Sequence, residues 1–273
     1  YQASVAHFNS FAIEMALVAF MLISATNFGT LHQIIHRQHK KAFASPEWRI
    51  FLLIVTASTL LITVNLYQAE LNGQTIIRPE HRGILPQGIE LMRMALFQVA
   101  SIITTTGFCT EDFNLWPPLS QGILIAIMFI GGCSGSTAGG LKVIRIILFL
   151  KMAYWQIERS FKPKNVHSLR VEETVIQPDM QQSIFAFFFI YMAIAALSTL
   201  YLSGLGLSLV TSFTAVAACL NNVGPGLELV GATGNYGFLP VSAKWLLFFL
   251  MGMGRLELYA ILVLFVPSFW KHS

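Results

Sequence analysis

Five stretches of this chain hold about 20 or more mostly apolar residues, the length a helix needs at about 1.5 Å per residue to cross a bilayer core of about 30 Å. They are Phe8 to Ile34, Trp48 to Ala69, Leu119 to Leu150, Gln182 to Ser203 and Val241 to Trp270. Strands of a membrane barrel would alternate polar and apolar residues, whereas Phe185 to Leu197 is apolar on every side. The expected fold class is therefore an all-α membrane protein. Only 11% of the 273 residues are charged, where a soluble domain carries about 25%, so a soluble enzyme is excluded and membrane lipid is the expected surrounding. The net charge of +4 is too small and too dispersed for a nucleic-acid groove, and no nucleic-acid partner is expected. Cys109, Cys133 and Cys219 show neither CxxC nor Cys/His spacing, which leaves them as small apolar residues. Tyr1 is not a start methionine, and no charged segment precedes the first apolar run, so the chain is expected to begin inside a longer protein.

Two further apolar stretches, Glu90 to Thr105 and Leu207 to Asn222, are about 16 residues long, too short to cross a bilayer. Lys and Arg decide which side they face. Arg37, Lys40, Lys41, Arg49, Lys151, Arg159, Lys162, Lys164, Arg170 and Lys271 fall on one side, Arg78 and Arg82 on the other, with Lys244 at a span's edge. The basic side should be cytoplasmic, with Tyr1 outside and Ser273 inside. Trp48, Trp155 and Trp270 then mark inner span ends and Trp116 and Trp245 outer ends, as interfacial indoles would. Both short stretches lie in outward connections and read as helices that enter from outside, stop and return as extended chain.

The order span, short helix, glycine turn, span occurs twice, and an offset of 117 residues sets Val99, Ala100 and Gly107 on Val216, Ala217 and Gly224. Residues 47–151 and 182–273 are the two expected repeats. Residues 1–46 would hold the last span of an incomplete earlier repeat, and residues 152–181 a cytoplasmic loop. The turns, Thr104-Thr105-Thr106-Gly107-Phe108 and Asn221-Asn222-Val223-Gly224-Pro225-Gly226, fall where each short helix ends. Irregular backbone at membrane depth must be buried in protein or line water. A glycine there admits positive φ, so that successive carbonyl oxygens can replace a cation's water shell, and the helix's partly negative C-terminus also favours a cation. An ordinary Gly/Asn turn in an outer loop is the plainer reading, made weaker by two copies in one register.

A third segment, Gly131 to Gly140, lies inside a span yet holds no residue larger than Thr or Cys. Each glycine weakens a helix by about 1 kcal/mol relative to alanine, so a break is expected; close packing through small residues fits equally well. Arg255, near the middle of the last span, must face water, a carboxylate or free carbonyls. Glu257, two residues on, points elsewhere on a helix and is a poor partner. Arg255 is expected to donate to carbonyls of the 131–140 segment. Glu90 and Arg93, at i, i+3, read as a local pair, and with Glu14 they are assigned no transport role.

These turns, the run Gly131-Gly132-Cys133-Ser134-Gly135-Ser136-Thr137-Ala138-Gly139-Gly140-Leu141-Lys142 and Gly254-Arg255-Leu256-Glu257 together resemble the bacterial TrkH family of potassium-uptake subunits, in the Trk/Ktr/HKT superfamily. The resemblance runs from end to end of the chain. It implies four such repeats around one pore, of which this sequence resembles the end of the second and all of the third and fourth. It implies a potassium filter carried by Gly107 and Gly224, with K+ as the transported ion held at the backbones of Thr105, Thr106, Gly107, Asn222, Val223 and Gly224. No cofactor is implied in this chain. The 131–140 segment would be an intramembrane gate loop, with Arg255 as its latch. The partners implied are a second copy in a homodimer and a cytosolic nucleotide-binding regulatory ring subunit of the TrkA type, in the bacterial inner membrane. Family members with altered filters also pass sodium.

Three other readings fit the residues less well. Gly132-Cys133-Ser134-Gly135 matches the GxSG of intramembrane serine proteases, but the seven histidines, His7, His32, His36, His39, His81, His167 and His272, lie at span ends or in loops, away from any such serine. Gly135 to Lys142 lacks the Lys-Ser/Thr ending of a phosphate loop. A membrane subunit without a pore would explain the spans but not two matched glycine turns.

Overall fold

The computed structural model describes all residues except 1–3, 9, 75, 77–85, 162–169, 172, 173, 176, 177, 257, 272 and 273; the side chains of His39, Lys41, Arg170, Val171, Thr174, Val175, Pro178, Asp179, Ser268 and Lys271 are also outside the description. The expectations for Tyr1, Arg78, His81, Arg82, Lys162, Lys164, His167, Glu257, His272 and Ser273 therefore lie outside the described residues. The protein is nearly all-helical. Helix α1 spans Phe11–Ser24, α2 Phe28–Ile35, α3 His39–Ala44, α4 Pro46–Leu71, α5 Gln87–Ile103 and α6 Pro118–Met128. They are followed by α7 Val143–Phe161, α8 Pro178–Gly204, α9 Leu209–Leu220, α10 Val241–Arg255 and α11 Leu258–Leu262. Two two-residue strands, Arg170–Val171 and Thr174–Val175, pair antiparallel between α7 and α8.

Helices α4 and α8 are long and apolar enough to cross a membrane. Proline sets the start of α4, where Pro46 occupies a first-turn position whose N–H would be unbonded anyway. Its buried residues Phe51, Val55, Ser58, Thr59, Ile62, Leu66 and Ala69 recur every three or four positions, so one stripe packs inward. Leu53, Leu60, Leu61 and Val64 on the other faces stay exposed. A helix that is apolar all round with one buried stripe suits a lipid surround.

Three expected spans are broken, and in two of them the break corrects the expected element. The first span is two helices, α1 and α2, bent by 110° at residues 25–27. Asn27 causes it: its side chain accepts the Gly29 N–H at 2.7 Å and so starts a new helix. The last span stops at Arg255, because Gly252 and Gly254 weaken the final turn, and a separate short helix follows at Leu258. Arg255 is thus a helix terminus rather than a mid-helix residue. The third span divides into α6 and α7 around residues 129–142, the break the small residues predict.

The two short apolar helices, α5 and α9, are the most enclosed. Twelve of the 17 residues of α5 and nine of the 12 of α9 are buried, which is the burial expected of helices surrounded by protein rather than lipid. Helix α5 packs against α4, α1 and α6, and α9 packs between α8 and α10. One core joins Phe51, Ile62, Leu91, Ile103, Phe113 and Leu124 around α5. A second joins Tyr191, Leu202, Val216, Leu220, Leu247 and Leu250 around α9. Trp116 belongs to the first core, 4% exposed, so it packs inside rather than facing an interface. The three cysteines are free and buried.

Candidate functional site: two matched turns and the loop beneath them

Helices α5 and α9 end in the same way, 117 residues apart. Thr105 N–H bonds the Ile102 carbonyl and Thr106 N–H the Ser101 carbonyl; Asn222 N–H bonds Cys219 and Val223 N–H bonds Ala218, all at 2.8–3.1 Å. This crossed pair is the Schellman ending, which needs a left-handed residue just beyond the helix. Thr105 (φ 54°) and Asn222 (φ 56°) fill that place. For a β-branched threonine that conformation costs about 1–2 kcal/mol, and the side chains show why glycine would not serve. Thr105 Oγ1 accepts the Gly139 N–H at 2.8 Å, and Asn222 Nδ2 donates to the Met251 carbonyl at 3.1 Å.

The turns bond most of their N–H groups back to the helix and leave carbonyls over. Gly107 N–H turns back to Ser101 and Gly224 N–H to Ala218, at 3.4 and 3.5 Å. Among the described residues, the carbonyls of Thr105, Thr106, Asn222 and Val223 accept no hydrogen bond. These four are again two pairs at an offset of 117. The turns also meet. Gly107 has φ 78°, and a Cβ placed on it would overlap the Val223 carbonyl oxygen and lie 3.3 Å from Pro225 Cδ. Only glycine permits this approach. Around them, Ser101 Oγ donates to the Phe108 carbonyl at 2.5 Å, Tyr191 OH donates to Asn221 Oδ1 at 2.8 Å, and Tyr236 OH donates to the Gly224 carbonyl at 2.7 Å.

The 131–140 segment lies against both turns. Gly139 bonds Thr105 through its N–H, and a Cβ there would come within 2.7 Å of the Asn221 carbonyl oxygen. Positive φ at Gly131, Gly135 and Gly140 folds the segment back on itself. Its carbonyls are gripped by cations: Arg255 Nη1 donates to the Thr137 carbonyl at 2.7 Å, and Lys142 Nζ donates to the Ala138 carbonyl. A cavity of about 350 Å³ beside it is lined by Gly139, Lys142, Arg145, Tyr191, Met253 and Arg255, among others. The far side is strapped to the bend between α1 and α2: Cys133 N–H bonds Ala25, Thr137 N–H and Oγ1 both bond Ser24, and Phe28 N–H bonds Gly135.

Several partners escaped sequence reasoning. Arg93 bonds Glu90 as the spacing suggests, but it also bonds Glu14 across to α1, all three side chains buried. Beyond the two turns, Asn114 clamps Glu228, its Oδ1 accepting the Glu228 N–H at 2.8 Å and its Nδ2 donating to the Glu228 carbonyl at 3.2 Å. The Glu228 carboxylate accepts from the Ser208 hydroxyl and from Thr211 Oγ1 at 2.6 Å, and these bonds hold it below the usual carboxylate range. Among the described residues no group of three His, Cys, Asp or Glu could hold a metal ion.

Two enclosed helices ending in matched, carbonyl-rich turns, beside helices long and apolar enough to cross a membrane, define the class as an all-helical membrane protein. The family model described as "TrkH: Cation transport protein" matches residues 1–272, and the chain belongs to that family. A Trk system potassium uptake protein TrkH of Halomonas elongata is 37% identical over 273 residues, which are 99% of this chain and 53% of that protein. Its Escherichia coli namesake is 32% identical over 272 residues, with the same shares. The crystal structure of the potassium transporter TrkH from Vibrio parahaemolyticus superposes with a TM-score of 0.85 at 33% identity, over 99% of this chain and 55% of that one. The chain spans about half the length of the relatives it matches.

Proposed function

We propose that this chain forms part of a potassium-uptake pathway across the bacterial cytoplasmic membrane, in which backbone carbonyls replace the ion's hydration shell. The observation that carries this reading is the pair of turns in which the N–H groups of Thr105, Thr106, Gly107, Asn222, Val223 and Gly224 are bonded back to the helix while the carbonyls of Thr105, Thr106, Asn222 and Val223 accept nothing among the described residues. The remaining carbonyls of the ring would come from the rest of the native-length protein. The relatives' names supply the ion. The filter comprises Thr104, Thr105, Thr106, Gly107, Phe108, Asn221, Asn222, Val223, Gly224 and Pro225, and K+ sits at the Thr105–Gly107 and Asn222–Gly224 backbones.

Gly131 to Gly140 is the gate, and Arg255 the latch that keeps it against the filter turns. The Arg255 bond to Thr137 and the Gly139 bond to Thr105 support that assignment. The chain is a transporter component rather than an enzyme: the GxSG serine lies in a loop strapped by main-chain bonds. It works as a homodimer with a cytosolic nucleotide-binding ring subunit facing the connections around residues 36–41 and 152–181. Rubidium and sodium uptake by the native-length protein, in cells lacking their own potassium uptake, tests the proposal. Rubidium flux that disappears on changing Gly107 or Gly224 supports it; sodium flux alone, or none, contradicts it.

A further inference from the structure

The loop has one more anchor, made by side chains. Ser134 is held through both of its main-chain groups by side chains from two different elements: its N–H donates to Glu47 Oε1 at 2.6 Å, and its carbonyl accepts from Asn27 Nδ2 at 2.6 Å. Asn27 cannot turn over freely, because its Oδ1 accepts the Gly29 N–H at the start of α2. Glu47 is buried at 8% exposure in the first turn of α4. A carboxylate on an amide is one of the stronger hydrogen-bond pairings, and burial strengthens it further. Five residues on from Ser134, Gly139 touches the filter turns.

Glu47 also stands where the cytoplasmic connection becomes a span. Helix α3 packs on α4, the Phe43 and Trp48 rings lie 4.8 Å apart, and Arg49 Nε donates to the Phe43 carbonyl. Displacement of this corner has a short mechanical route to the loop through one carboxylate.

We infer that Glu47 and Asn27 are positioning residues that clamp the Ser134 peptide and thereby hold the 131–140 loop in its obstructing position, independently of Arg255. The inference rests on reading that loop as the gate. Asn27→Asp is the sharpest variant: it is isosteric, keeps the helix cap, and sets a carboxylate oxygen against the Ser134 carbonyl in place of a donor. Glu47→Ala removes the acceptor, and Glu47→Gln keeps one.

The test is basal rubidium uptake by the native-length protein, normalised to the amount in the membrane, together with the alkylation rate of Cys133, which is buried beside Ser134. Asn27→Asp and Glu47→Ala should raise uptake roughly three- to tenfold, the range of one lost hydrogen bond, and speed Cys133 alkylation. Glu47→Gln, which keeps an acceptor but loses its charge, should raise uptake less than Glu47→Ala does. Parent-like uptake and alkylation in both variants, while Arg255→Ala raises uptake, overturns the clamp and leaves the gate. Faster alkylation with unchanged uptake also overturns it, since the loop would then move without opening anything. If Arg255→Ala and both clamp variants leave uptake unchanged while Gly107→Ala abolishes it, the gate reading and the clamp fall together.

Discussion

Gly107→Ala and Gly224→Ala should differ, although sequence treats the two glycines as equivalent. Both have positive φ, 78° and 104°, so an alanine at either position pays a backbone penalty of about 1–2 kcal/mol. At Gly107 the new methyl group would also overlap the Val223 carbonyl oxygen and press on Pro225, whereas at Gly224 nothing among the described residues lies within 4 Å. Overpacking of this kind costs about 1–3 kcal/mol. The carbonyl that must give way is one of the four left free of hydrogen bonds. Gly107→Ala should therefore reduce rubidium uptake by roughly ten- to a hundredfold more than Gly224→Ala does, at about 1.4 kcal/mol per tenfold, and should lower the rubidium-to-sodium ratio further. Uptake of both ions would be measured in cells lacking potassium uptake, against quantified membrane protein. Equal effects of the two variants, or an unchanged ratio in Gly107→Ala, would refute the close approach of the two turns as the source of selectivity.

Arg255→Ala should raise basal flux, because the Thr137 carbonyl loses its cationic donor; unchanged flux at normal membrane abundance would count against a latch. Arg93→Gln removes the guanidinium that lies between two buried carboxylates, Glu14 and Glu90, and breaking a buried ion pair costs about 3–5 kcal/mol. A thermal midpoint in detergent within a degree or two of the parent would contradict that burial. Glu228, held below the usual carboxylate range by Ser208 and Thr211, contributes stability that is present above that range and lost as pH falls through its lowered value. The midpoint gap between the parent and Glu228→Gln should close below that pH, and a gap that persists there would show another origin.

How much of this was visible in the residues depends on the range of the physics involved. Spans such as α4 and α8 follow from apolar length alone, and the shortness of α5 and α9 follows from the same ruler. The matched turns were visible because glycine has a local conformational meaning that repeats at a fixed offset. The bend at Asn27 is not expected from sequence: its cap signal is a single residue inside a long apolar run, and the 131–140 loop strapped to the bend lies more than 100 residues away. Glu47 is an acidic residue in a first helical turn, a common position for one. Nothing in its neighbours shows that its carboxylate reaches Ser134. The end of the last span at Arg255 had a weak local sign in Gly252 and Gly254, outweighed by the apolar residues on either side.

The most direct test of the account is the anomalous scattering of rubidium or thallium soaked into crystals of the native-length protein. The account predicts density coordinated by the carbonyl oxygens of Thr105, Thr106, Asn222 and Val223, reduced in Gly107→Ala. Ion density confined to other sites in a transport-competent protein, with none at these four carbonyls, would contradict it.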